Sequence, residues 1–190
     1  SVLNSLLRVP ETGRQFSYAE AAEASARIAT CLVALGAGPG DRVTVQVEKS
    51  AENLFLYLAC LRAGLVYHPL NTAYKASELA YFLQNAEPTV VICDSGGLAT
   101  METALPAGGV MALITLNADG SGTLMEQAAT AGADAKIAHR DGTDMAALLY
   151  LSGTTGQSKG IMLSHDNFRK NAEPLVTLWR FHPAVRLFTL

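Results

Sequence analysis

The run from Tyr150 to Gly160, Tyr-Leu-Ser-Gly-Thr-Thr-Gly-Gln-Ser-Lys-Gly, holds the residue types and spacing best suited to chemistry in this chain. Gly153, Gly156 and Gly160 leave backbone N–H groups unobstructed, and Ser152, Thr154 and Thr155 add hydroxyl donors that can follow phosphate oxygens around a turn. Lys159 adds a mobile positive charge. That set suits a nucleoside triphosphate, whose oxygens need many short donors and whose charge needs a counter-ion that moves with the reacting phosphoryl group. The run is not a Walker loop, because Ser158 stands where a glycine would have to precede the lysine. Runs rich in Gly, Ser and Thr are ordinarily solvated loops. Here the run follows the apolar stretch Met145 to Tyr150, read as a buried strand, and precedes the apolar Ile161-Met-Leu163. A loop held between two buried strands is better placed to grip phosphate than to act as a linker.

The elements around it alternate between strand-like and helix-like patterns, as in a sheet wrapped by crossover helices. A helix is expected from Tyr18 to Leu35, ended by the turn Gly36-Ala-Gly38-Pro-Gly40, and then a strand over Val43 to Val47. Ser50 reads as the N-cap of a helix to Ala63 with Gly64 just past its end. Val66 to Leu70 reads as a strand whose Pro69 marks its end or an unpaired edge. Ser77 and Glu78 start a helix through Tyr81 and Phe82 toward Gln84, and Pro88 separates it from the strand Thr89 to Cys93. Met111 to Leu116 is a further strand, Asn117 to Gly122 a polar turn, Leu124 to Thr130 a short helix and Gly132 to Thr143 a loop. Asp166 and Asn167 favour a last helix start, with Leu175, Leu178 and Trp179 on one face and Pro174 expected to kink or split it. Val185 to Leu190 reads as a strand cut off on entering a core, and the initial Ser1 suggests that residues precede it. No linker divides the chain, so one incomplete α/β unit is the expectation.

With 49% hydrophobic and 16% charged residues, the 190-residue chain has apolar material for one ordinary soluble domain or subdomain. A net charge of -3 without a basic cluster argues against nucleic acid or an anionic membrane as the main partner. The longest apolar stretches, Leu54 to Cys60 and Met145 to Leu151, are far shorter than a bilayer span, and the start lacks signal-peptide order. Cys31, Cys60 and Cys93 are odd in number and sit in apolar company. They read as buried thiols in a reducing compartment, the cytoplasm or an organelle matrix, rather than as disulfides or metal ligands.

The glycine-rich run resembles the corresponding loop of the adenylate-forming acyl-CoA synthetases, a superfamily shared with nonribosomal-peptide adenylation domains and luciferases. Its usual form is Tyr-Thr-Ser-Gly-Thr-Thr-Gly-x-Pro-Lys-Gly. Ser152, Gly153, Thr154, Thr155, Gly156, Lys159 and Gly160 match, and Leu163-Ser164-His165-x-Asn167 continues the pattern. Leu151 departs by removing a hydroxyl, and Ser158 departs by standing in place of proline. Phe16-Ser-Tyr18-x-Glu20, Gly40-Asp41-Arg42-Val43, Lys49-Ser50 and Ala63 to Asn71 resemble the family's opening strands and helices. Gln46 to Ser50, Leu70 to Tyr74 and Met162 to Asn167 are most similar to malonyl-CoA synthetases.

The resemblance implies an α/β fold, with residues 1–190 forming the N-terminal part of the ATP-binding (AMP-binding) adenylation domain, truncated and without its C-terminal domain. It implies ATP, Mg²⁺ and coenzyme A as cofactors and a short carboxylic acid, malonate first, as substrate. The acid would be activated as an acyl-adenylate and then transferred to coenzyme A. Ser152, Thr154 and Thr155 would serve as hydroxyl donors, Gly153 and Gly156 as close-approach backbone, and Lys159 as the counter-charge. No catalytic or metal-ligating residue is assigned in this chain. The adenine and ribose motifs, the acidic Mg²⁺ partner, the acid-binding residues and the catalytic lysine lie further along in the family, so residues 1–190 alone are expected to be catalytically silent. The alternatives are a non-catalytic nucleotide-binding homologue, for which Leu151 is the best support, and a ligase for another short or medium acid.

The remaining candidates carry less. His68, His139 and His182 lack metal-ligand spacing and read as structural or surface residues. His165 reads as a local hydrogen-bonding residue at a helix start. Gly36-x-Gly38 has Asp41 where a dinucleotide fingerprint needs glycine.

Overall fold

The computed structural model describes residues 5–151 and 158–180. A short antiparallel hairpin, β1 (Ser5–Arg8) and β2 (Gln15–Ser17), precedes the helix α1 (Tyr18–Ala34). The chain then alternates β3 (Arg42–Gln46), α2 (Ala51–Ala63), β4 (Val66–Pro69), α3 (Ala76–Ala86), β5 (Val90–Cys93), α4 (Leu98–Ala104), β6 (Ala112–Thr115) and α5 (Thr123–Thr130). It closes with β7 (Met145–Leu151), β8 (Lys159–Ser164) and α6 (His165–Leu178). The six-stranded sheet has the order β6-β5-β3-β4-β7-β8, parallel throughout except that β8 runs antiparallel to β7. The α/β expectation holds.

Local signals set most boundaries. Ser17 accepts from the Glu20 N–H while Glu20 accepts from the Ser17 N–H, so two otherwise unpaired donors are satisfied at the start of α1. Ser50 accepts from the Asn53 N–H at 3.1 Å, and α2 stops at Gly64, whose φ of 70° is in the left-handed region. The α3 start lies earlier than Ser77, because the Glu78 carboxylate accepts from the Lys75 N–H at 3.0 Å and draws that residue into the cap. Pro69 closes β4, which lies between β3 and β7. Of the two readings of that proline, the strand end holds and the edge does not: the next residue, Leu70, resumes the ladder by donating to the Val45 carbonyl at 2.8 Å. Gly132 to Thr143 forms no helix or strand.

The sheet is covered on both faces. Helices α1, α2 and α5 pack on one face against Val43, Val45, Val90, Ile92 and Ile114. Helices α3 and α4 pack on the other against Val91 and Cys93, with Leu79, Phe82, Leu83 and Met101 buried between. Burial on both sides explains why β5 reads as a continuous apolar run; β3 alternates, and its buried Thr44 and Gln46 are satisfied by His68 and by the Asn71 carbonyl. Cys31, Cys60 and Cys93 are all buried free thiols, as expected, and burial raises the pKa of each. Among the described residues no helix is long and apolar enough to cross a membrane.

Two expectations change, and one helix, α4, is not among those expected. No polar N-cap announces α4: Gly97 occupies that place, and the Asp94 carboxylate accepts from the Gly97 N–H at 2.8 Å. Helix α6 is neither split nor ended by Pro174. No residue of α6 is buried, so a carbonyl freed by the proline can bond to water. Finally, β8 is not a buried strand: among the described strands it forms the sheet edge, and Met162 is 71% exposed. The expected strand over 185–190 lies outside the described residues.

Candidate functional site

Strand β7 carries the chain from the core to the site. Ala146, Ala147 and Leu148 are buried, Leu149 and Tyr150 are half-buried, and Leu151 is 57% exposed. β7 runs parallel to β4, so its carboxyl end lies at the carboxyl edge of the parallel strands, where open α/β sheets place their binding crevices. The antiparallel ladder pairs Leu148 with Met162, Tyr150 with Gly160 and Leu151 with Lys159, and the chain between the last pair is the glycine-rich run. Alternation along the strands puts Tyr150 and Gly160 on the α3 side and Leu151 and Lys159 on the opposite side.

Of the candidate residues, Ser152, Gly153, Thr154, Thr155 and Gly156 lie outside the described residues. Lys159 opens β8 and is exposed, with no ion pair among the described residues. Gly160 sits in the ladder, where an added Cβ would be 3.5 Å from the Tyr150 ring, an ordinary contact. Its lack of a side chain is therefore not required by local packing.

The root of the run is an aromatic cluster that sequence reasoning did not single out. The Phe82 ring of α3 packs 4.6 Å from Tyr150 with the planes tilted by 54°, Tyr74 lies 4.9 Å from Phe82, and Tyr81 meets Phe82 edge-on at 5.4 Å. The Tyr81 hydroxyl donates to the Ser158 carbonyl at 3.2 Å, across a sequence separation of 77 residues. Tyr81 and Phe82 are visible in the sequence as helix residues, but the sheet order that brings α3 against β7 is not. An open cleft of about 440 Å³ runs along this side, lined by Arg42, Tyr81, Leu148, Tyr150, Ser158 and Met162.

His68 is fully buried beside this cluster, 5.4 Å from the Tyr150 ring, with Nδ1 at 2.8 Å from the Thr44 hydroxyl. Burial lowers its pKa to about 4, so it is neutral near pH 7 and structural, as expected. His139 is exposed, and His182 lies outside the described residues. At the start of α6 the cap is Ser164, which exchanges hydrogen bonds with Asn167. His165 is the first helical residue; its backbone N–H donates to Asp144, while its side-chain Nε2 has no hydrogen-bond partner among the described residues. The turn is thus ordered by Ser164 and Asn167 rather than by the imidazole. Among the described residues no group of three or more His, Cys, Asp or Glu could hold a metal ion.

Comparison with known proteins extends this picture. The chain is 48% identical to MatB from Rhodopseudomonas palustris over 90% of its length, with a TM-score of 0.85 to the apo crystal structure and 0.83 to the ATP-bound one. It is 30% identical over 167 residues to the long-chain-fatty-acid–CoA ligase FadD13 of Mycobacterium tuberculosis, covering 86% of this chain. It is 28% identical over 190 residues to the probable non-canonical nonribosomal peptide synthetase CymA of Salinispora arenicola, covering 98% of this chain. The chain spans 34% of the MatB chain, 32% of FadD13 and 2% of CymA. The model of the AMP-binding enzyme family matches residues 4–188, and the chain belongs to that family.

Proposed function

We propose that this chain supplies the polyphosphate-binding part of an adenylation domain in an AMP-forming acid–thiol ligase. The observation that carries the reading is the position of the glycine-rich run, which leaves β7 at the carboxyl edge of the parallel sheet and returns through Lys159. The ATP-bound structure of MatB and the CoA-ligase name of FadD13 support it.

In the first step a substrate carboxylate oxygen attacks the α-phosphorus of ATP. The bond from that phosphorus to the bridging oxygen breaks, and pyrophosphate leaves with the electron pair. Ser152, Gly153, Thr154, Thr155 and Gly156 would bind the β- and γ-phosphates. Lys159 would neutralise the charge that grows on the leaving pyrophosphate, an interaction stronger in the transition state than before it. In the second step the thiol of coenzyme A attacks the acyl carbonyl, losing its proton as AMP departs. Mg²⁺ would supply further charge neutralisation, travelling with the nucleotide. Malonate is the preferred acid, on the scaffold segments Gln46 to Ser50, Leu70 to Tyr74 and Met162 to Asn167. Residues 1–190 form the N-terminal part of the adenylation domain in this reading, and alone would make no acyl-CoA.

The test is exchange of labelled pyrophosphate into ATP by the full-length protein with malonate, methylmalonate, acetate or no acid. Exchange with malonate alone is expected. Exchange with another acid would move the substrate assignment, and nucleotide binding without exchange for any acid would favour the non-catalytic homologue to which Leu151 points.

A further inference from the structure

The geometry points to Tyr81 as a positioning residue for Lys159, acting through the peptide that joins Ser158 to Lys159. This inference rests on the polyphosphate reading above and extends it to a helix outside the glycine-rich run. The Ser158 carbonyl belongs to the same rigid plane as the Lys159 N–H, so a bond that fixes the carbonyl also fixes the start of β8. That strand is held from one side: its only sheet neighbour among the described strands is β7, whose last pair is Leu151 with Lys159, and Lys159 and Gly160 are exposed. Ser158 is the first residue beyond the ladder, and with no pyrrolidine ring its φ is unrestricted.

Helix α3 supplies the missing restraint. Leu79, Phe82 and Leu83 are buried and set the rotation of the helix, which leaves Tyr81 half-buried with its hydroxyl 3.2 Å from the Ser158 carbonyl. The adjacent Phe82 ring packs against that of Tyr150, which pairs with Gly160 across the ladder. Two consecutive residues of one helix therefore hold both strands at the root of the run: Phe82 through an aromatic contact with β7, and Tyr81 through a hydrogen bond to the residue before β8.

The test measures kcat of ATP–pyrophosphate exchange in the full-length protein, using the acid of the panel that supports exchange. Tyr81→Phe, Lys159→Ala and the double variant are compared, with unfolding midpoints in parallel. Tyr81→Phe removes one oxygen and is expected to lower kcat about fivefold, the scale of one neutral hydrogen bond. The unfolding midpoint should hardly move. In the Lys159→Ala background the same change should have no effect on kcat, since residues that act through one another are not additive. Tyr67→Phe is the control: it loses a 2.9 Å bond to Asn53 on the other face of the sheet and should leave kcat unchanged. Wild-type kcat in Tyr81→Phe, or a fivefold loss that persists without Lys159, would each overturn the inference while leaving the adenylation reading standing; wild-type exchange in Lys159→Ala would overturn it and remove Lys159 from that reading as well. Absence of exchange in the wild type with every acid would overturn both.

Discussion

The two ends of the sheet are built differently. From β6 to β4 each strand is parallel to its neighbours and covered by helices on both faces, and Val43, Val90, Val91, Ile92 and Cys93 are fully buried. From β7 outward, burial fades along one strand, the pairing turns antiparallel, and Met162, Val176, Leu178 and Trp179 are more than half exposed. The candidate site lies at that transition. The buried parallel half can hold the carboxyl edge in place, while in the proposed reading the outer hairpin would carry the donors and the lysine that meet the nucleotide. Stability should therefore reside in one region and chemistry in the other.

The sharpest way to break this contrast is to truncate the core. Leu56→Ala, at a fully buried position of α2, should cost about 2–5 kcal/mol by chemical denaturation, the usual range for a buried leucine. A loss under 1 kcal/mol would mean that the parallel half is not the stable one. His68 tests the same region through pH. Its folded pKa of about 4 lies below the ordinary value of 6.5, so the unfolded chain binds the proton first. The contribution is whole above pH 6.5 and is lost progressively as pH falls toward 4, amounting to about 3 kcal/mol. Replacing His68 by leucine should flatten that window, and an unchanged pH profile would remove the histidine from the account.

The outer hairpin should answer in the opposite way. Lys159→Ala is expected to reduce adenylate formation by the full-length protein about a hundredfold, the scale of losing one preorganised charge-stabilising donor, without changing the denaturation midpoint. Met162→Ser should be smallest, changing stability by less than about 0.5 kcal/mol because the side chain is already 71% exposed. A large destabilisation at Met162 in the full-length protein would show that another part of that protein covers β8.

The same division governs what could be read from the sequence. Ser50, Gly64 and Pro88 mark boundaries through bonds or torsions within a few residues, and each boundary falls where those residues imply. The α/β class follows from their alternation. Ile161-Met-Leu163 misled because a short apolar run looks the same in a core and on an edge, and only the sheet order distinguishes them. Of the two effects expected of Pro174, the split does not occur, and α6 has no buried residue, so a carbonyl freed by the ring can bond to water. The motif residues were legible as a phosphate-binding pattern, but Tyr81 was not, since its partner is 77 residues away and nothing local announces the pairing.

The central claim, that the run between β7 and β8 grips a polyphosphate, is tested most directly by amide hydrogen exchange on the full-length protein with and without saturating MgATP. Slowed exchange is expected over residues 152–159, with no change in α1 or β5. Unchanged exchange over 152–159 while calorimetry shows the nucleotide bound would contradict it.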